Sequence, residues 1–201
     1  MKMDEIHHRL SGLARLLEYP AGEITLPEWA GSAPALARFQ AAFGALAPEE
    51  REELYLATFE VTPSCVPYVS IHLFGEENFK RGEFMAALQE RYHQAGFEAG
   101  AELPDHLAVM LRFAAETEAS ERCELVEYCL LGPVGKMIAA LAEANPYRAL
   151  LEAVRETLEA MYPGMRPAPS PLEQMQQHGM GCAAVSAGCG CKATHAEEAL
   201  A

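Results

Sequence analysis

Glu102-Leu103-Pro104-Asp105-His106-Leu107, running on into Ala108-Val109-Met110-Leu111, is the stretch on which the reading of the fold turns. Pro104 and Asp105 set a turn, and Leu107, Met110, Leu111 and Ala114 then recur at helical spacing. The segment predicts a helix from Pro104 to about Thr117 with Asp105 as its N-terminal cap. Two carboxylates and an imidazole gather at the positive end of that helix, where an anionic group gains up to ~1 kcal/mol. An ordinary capped helix with a solvated rim accounts for them, and so does the edge of a binding site.

The same helical period extends in both directions. Upstream, Glu83 to about Ala95 carries Phe84, Leu88 and Tyr92 on one face, and Gly96 stands where a left-handed cap is needed. Residues 75–82 read as a polar loop and Tyr68 to Phe74 as a short apolar helix, while Pro63 and Pro67 interrupt what precedes. Three further helices are expected nearer the start: from Asp4 to Glu18, from Ser32, and from Pro48 through Leu54, Tyr55 and Phe59. Downstream, a helix from Ser120 is broken or kinked at Gly132-Pro133 and resumes through Val134 to Leu141. Asn145-Pro146 caps the last one, which reaches Met161. No stretch alternates as a strand does, so the chain reads as all-α, a single domain of about eight or nine helices.

Past Tyr162 the composition changes to Pro, Gly, Ala and Cys. Such sequence has little to bury, so residues 163–201 are expected to form a flexible tail on a 1–162 helical domain. The whole chain of 201 residues carries a net −14. With the tail's two basic and three acidic residues set aside, residues 1–162 hold 13 basic against 26 acidic, a net −13. That field disfavours nucleic acid and anionic membrane and favours basic partners. No apolar run approaches the ~20 residues of a membrane span, and the start lacks a signal-peptide pattern. The six cysteines, Cys65, Cys123 and Cys129 scattered and only Cys182, Cys189 and Cys191 clustered, do not read as a disulfide framework, which points to the cytoplasm.

Chemistry-bearing patterns are few. There is no glycine-rich phosphate loop, no Gly-x-Ser-x-Gly elbow and no His-Glu-x-x-His helix. Asp105 and His106 are neighbours, and neighbours on a helix do not face each other, so an acid/base pair is not expected there. Cys65 would need a nearby base to act as a nucleophile. The tail holds His178, Cys182, Cys189, Cys191 and His195, ligands suited to zinc, copper(I) or iron–sulfur, at a spacing that matches no common zinc module. They are candidate metal ligands, and an unliganded tail is the simpler reading.

Leu54-Tyr55-Leu56-Ala57-Thr58-Phe59-Glu60, Ser70-Ile71-His72-Leu73-Phe74, Arg81-Gly82 with Met85, Leu88, Tyr92 and Gly96, and then Glu102 to Leu107 with Leu111 and Phe113, follow one another over about sixty residues. In that order they resemble the nitrate reductase molybdenum cofactor assembly chaperones (NarJ type) of the TorD/DmsD family of redox-enzyme maturation chaperones. Leu17-Glu18-Tyr19-Pro20 is similar to the family as well. The resemblance implies an all-helical cytoplasmic chaperone, not an enzyme. It would hold the N-terminal segment of an apo molybdoenzyme catalytic subunit, foremost respiratory nitrate reductase, for molybdenum cofactor insertion. It implies no permanently bound cofactor, the molybdenum cofactor being handled through the client, and cofactor-delivery proteins as further candidate partners. By the match, Tyr55, Phe59, Tyr68, Glu102, Asp105 and His106 are expected to line or support the client site. Pro67-Tyr68-Val69-Ser70, at the end of the Val61–Pro67 loop, looks as much like the wider TorD/DmsD relatives, so a client of the DMSO reductase type stays open. A metal-binding or redox-sensing role for the tail is the other alternative.

Overall fold

The computed structural model describes residues 2–21, 27, 29, 31 and 33–183, with the backbone alone for 178–183. Among them every regular element is helical, and the one β-type pairing is an isolated antiparallel bridge between Tyr68 and His106. The order is α1 (Met3–Leu16), α2 (Pro34–Gly44), α3 (Pro48–Phe59), α4 (Val69–Phe74) and α5 (Lys80–Ala95). Then come α6 (Leu107–Glu116), α7 (Ala119–Glu124), a π-helical turn (Leu125–Leu130), α8 (Leu131–Ala140), α9 (Pro146–Met161) and α10 (Pro171–Ala183). The all-α expectation holds.

The centre is α6. Eight of its ten residues are buried, including Leu107, Val109, Met110, Leu111 and Phe113, so only Arg112 and Glu116 reach water. It packs along α1 through Leu10, Leu13 and Ala14, while α9 packs against α2 and α8. Tyr147, fully buried on α9, holds one end of the core together: its ring lies 4.9 Å from Phe59, 5.5 Å from Phe43 and 5.8 Å from Phe39. These are tilted or edge-on contacts, the geometry that ring quadrupoles favour. Asn145 caps α9 as expected, its Oδ1 accepting from the Tyr147 amide at 2.9 Å.

Both ends of α6 are fixed by groups from elsewhere in the chain. At its C-terminus the buried Arg122 donates from Nε to Ala114 O at 2.6 Å and from Nη2 to Thr117 O. Those are carbonyls the helix leaves unpaired, and a cation is favoured against them. At its N-terminus the cap is His106 and not Asp105: the His106 Nδ1 accepts from the Ala108 amide at 3.2 Å. The helix therefore begins at Leu107 and not at Pro104. Asp105 is drawn away by a different helix, as the site geometry shows.

Three other boundaries differ from expectation. The fifth helix starts at Lys80, ahead of Glu83, because Asn78 Oδ1 accepts from the Lys80 amide at 3.0 Å. Gly132-Pro133 does not break its helix. Pro133 has no N–H to donate and its ring crowds the preceding turn. That turn widens, Leu131 N reaching back five residues to Val126 O, and the helix stays continuous. Past Tyr162 the chain remains packed for a further stretch. Ala168 N donates to Glu127 O at 3.0 Å, Ser170 is buried, and Ser170 and Glu173 form a reciprocal capping box that opens α10. Lys136 ties that cap to α4 by donating to Ser170 Oγ at 3.2 Å and His72 O at 2.9 Å.

Candidate functional site

The start of α6 and the start of α4 are clasped together. Val69 N donates to Asp105 O and Leu107 N to Pro67 O, each at 2.9 Å, around the Tyr68–His106 bridge. The Asp105 carboxylate, wholly buried, then turns toward α4. Its Oδ2 accepts from Ser70 Oγ at 2.5 Å and from Ser70 N at 3.3 Å. Arg81 extends the chain, donating from Nε to Ser70 Oγ at 3.0 Å and from Nη1 to Glu76 O at 2.8 Å. Asp105 thus serves the free amides at the head of α4, and its other oxygen, Oδ1, is buried with no partner. Tyr92 on α5 closes the arrangement, its hydroxyl donating to Pro104 O at 2.7 Å.

Beside this clasp lies a cleft of about 260 Å³ lined by Glu18, Tyr19, Tyr55, Glu102, His106 and Arg112, among others. Three of the six sequence candidates, Tyr55, Glu102 and His106, meet there. Phe59 stands behind Tyr55 in the core at 5.2 Å, and Tyr68 rests edge-on against the His106 ring at 5.6 Å. Asp105 supports the cleft from below and does not line it. Sequence reasoning missed Tyr19 and Arg112 as lining groups. The Leu17-Glu18-Tyr19-Pro20 run carried a signal for the first: Tyr19 packs edge-on to Tyr55 at 5.4 Å.

The cleft is negative. Burial pushes the Tyr55 phenol well above its ordinary value, and the charges of Glu60, Glu102 and Glu18 push it further. Tyr68 is raised too, first by burial and then by Glu102, Asp105 and Glu60. Burial lowers His106 against the opposing pull of Glu102 and Asp105, so the ring is held neutral. Arg112 is the cation of the lining, and it is engaged with Ala99 O at 2.6 Å and with Glu18 at 3.8 Å. Glu102 is exposed at the rim of the cleft. Cys65 is buried and its thiol is pushed up to about 12, which removes the thiolate a nucleophile requires. No group of His, Cys, Asp or Glu among the described residues could hold a metal ion. The side chains of His178, Cys182, Cys189, Cys191 and His195 lie outside those residues.

Residues 26–163 match the model of the nitrate reductase delta subunit family. The chain belongs to that family. A curated relative, the probable nitrate reductase molybdenum cofactor assembly chaperone NarJ of Bacillus subtilis (strain 168), is 31% identical over 163 residues, 74% of this chain and 87% of its own. The NarJ-type resemblance carried by Tyr55 to Phe113 is thereby borne out, and the delta subunit family places the chain among assembly chaperones and not enzymes. The match ends at residue 163, so α10 lies beyond the part shared with the family. No helix of the described residues is long and apolar enough to cross a membrane.

Proposed function

We propose that the protein is a cytoplasmic chaperone of nitrate reductase assembly. It binds the N-terminal segment of the apo catalytic subunit and holds it until the molybdenum cofactor is inserted. Family membership supports the chaperone role, and the observation that carries the site is the negative cleft beside the α4–α6 clasp. Basic, amphipathic segments suit such a surface: a basic side chain gains from Glu18 and Glu102, and an apolar one packs against Tyr19 and Tyr55. The cofactor is handled through the client, with cofactor-delivery proteins as further partners.

Affinity capture from cells respiring nitrate, followed by identification of the bound large subunit, tests the client. Recovery of the nitrate reductase catalytic subunit is expected; recovery of a different molybdoenzyme of the DMSO reductase type would reassign it. Calorimetry with the N-terminal peptide at low and high salt tests the mode. Affinity should fall with salt as the charged contacts are screened, and persist in part through the apolar contact.

A further inference from the structure

We propose that the C-terminal extension holds one zinc(II) ion, bound by His178 and Cys182 of α10 together with the thiolates of Cys189 and Cys191. The site belongs to this chain's own extension. The family match ends at residue 163, and none of the four residues lines the client cleft.

What the spacing alone withheld is the helix. α10 runs from Pro171 to Ala183, so His178 and Cys182 stand at i and i+4, one turn apart and on the order of 6 Å along the axis. Two ligands with three residues between them on one helix are the half-site that the helix of a zinc finger supplies. Met175, three positions before His178, shares that face and is 57% exposed, so the face is not spent on the core. The helix is also anchored at its start. Ser170 and Glu173 cap it, Lys136 bonds Ser170 Oγ at 3.2 Å and pairs with Glu173 at 2.9 Å, and Ala168 N donates to Glu127 O. Two of the four ligands are therefore carried by a helix tied to the domain, which lowers the ordering cost of binding. Gly179 and Gly181 are poor helix residues, so a metal link from i to i+4 supplies what propensity does not.

The donor set chooses the metal. Calcium and magnesium take oxygen ligands, whereas three thiolates with one imidazole make the closed tetrahedral Cys3His set of a structural zinc site. Residues 184–188 separate Ala183 from Cys189, six steps of chain that reach up to ~20 Å, ample for a return to α10. Gly188 and Gly190 flank Cys189 and leave the backbone free to bring both thiolates of Cys-x-Cys to one ion. Four positions need only one of the two imidazoles. His178 is favoured over His195 because it shares a helix with Cys182 and closes no further loop. The three thiols release their protons to solvent as the ion binds, so affinity falls with falling pH.

Zinc chloride titrated into the full, reduced and chelator-stripped chain tests the site. Affinity is read by competition with a chromogenic chelator, and bound metal is counted by elemental analysis. One zinc per chain is expected. His178→Gln, Cys182→Ser, Cys189→Ser and Cys191→Ser should each weaken binding by more than about tenfold, the least that even a ligand's supporting groups contribute. His195→Gln and Cys123→Ser should stay within about threefold of wild type. Cobalt(II) in place of zinc should show thiolate charge-transfer and tetrahedral d–d bands that weaken in the three cysteine variants. Unfolding midpoints of the metal-free variants should match the metal-free wild type, which separates a lost ligand from a lost fold. No bound zinc, a fraction of an ion per chain that depends on no cysteine, or an octahedral cobalt spectrum would each overturn the proposal. So would a His178→Gln variant that binds as wild type does while His195→Gln fails.

Discussion

Two helices that meet at Tyr92 and Phe113, 4.6 Å apart, are held in different ways. α6 buries eight of its ten residues and has a buried group locked on each end. α5 buries two of its sixteen, Leu88 and Tyr92, and closes on Gly96 in the left-handed conformation. The first is fixed by the core; the second is pinned at a few points over a frame that the first provides. The cleft draws His106 from the cap of the fixed helix and Arg112 from its body.

The strongest way to break the comparison is to unlock α6. Arg122→Met removes the donors from Ala114 O and Thr117 O and leaves two carbonyls buried without partners. The expected loss is about 3 kcal/mol, measured by urea unfolding. A loss below about 1 kcal/mol would mean that apolar packing alone fixes α6.

Next is the clasp. Asp105→Ala strips Ser70 of its carboxylate partner and should cost about 2 kcal/mol. The cost should also appear as lost protection of the α4 amides in hydrogen exchange, since α4 and not α6 loses its cap. The clasp region carries a pH dependence as well. Burial lowers His106 and His72 from 6.5, with Glu102 and Asp105 opposing at His106, Lys136 adding at His72 and Arg112 adding at His106. At His72 the hydrogen bond to Val66 O opposes the shift. Below 6.5 the unfolded chain binds protons that the native state refuses, so stability present above that pH is lost as pH falls toward the depressed native values. Unfolding midpoints measured from pH ~7 down to ~5 should decline, and His106→Asn should flatten part of that decline.

How far the sequence reached follows the same division. α6 was legible because the run from Leu107 to Ala115, apolar but for Arg112, can only be buried, and α9 because Asn145-Pro146 is a local signal. The cap of α6 was misplaced by one residue because Asp105 answers to Ser70, thirty-five positions away, and spacing carries no information on that. The π turn and α10 were missed for a similar reason. Pro133 is accommodated by a neighbouring turn, and α10 is held by Lys136 and the Glu127 carbonyl. Of the cleft, Tyr55, Glu102 and His106 were named through the family resemblance, whereas Arg112 sits in α6 like any solvent-facing residue until Ala99 and Glu18 arrive beside it.

A smaller effect is expected on α5. Tyr92→Phe keeps the ring against Phe97 and Phe113 and loses only the bond to Pro104 O, at about 1 kcal/mol. The Pro104 carbonyl anchors the turn before His106, so the peptide affinity of this variant sharpens the comparison. A drop larger than about threefold would show that α5 helps to shape the cleft, and an unchanged affinity that α6 and α4 suffice.

The smallest is Arg91→Ala. Arg91 pairs with Glu121 at 2.9 Å, but its side chain is 49% exposed, so solvent screens the attraction. Arg91 also lines an apolar groove of about 250 Å³ beside α5 and the π turn, with Phe84, Leu88, Leu125 and Tyr128. The global loss should stay below about 0.5 kcal/mol, within the spread of ordinary surface changes. Local opening should respond more. Amides of α5 are expected to exchange faster than those of α6 in the wild type, and faster still in Arg91→Ala, while α6 exchanges only with global unfolding. If α5 is protected to the same level as α6 in both proteins, the two helices form one cooperative unit and the contrast between them is one of burial alone.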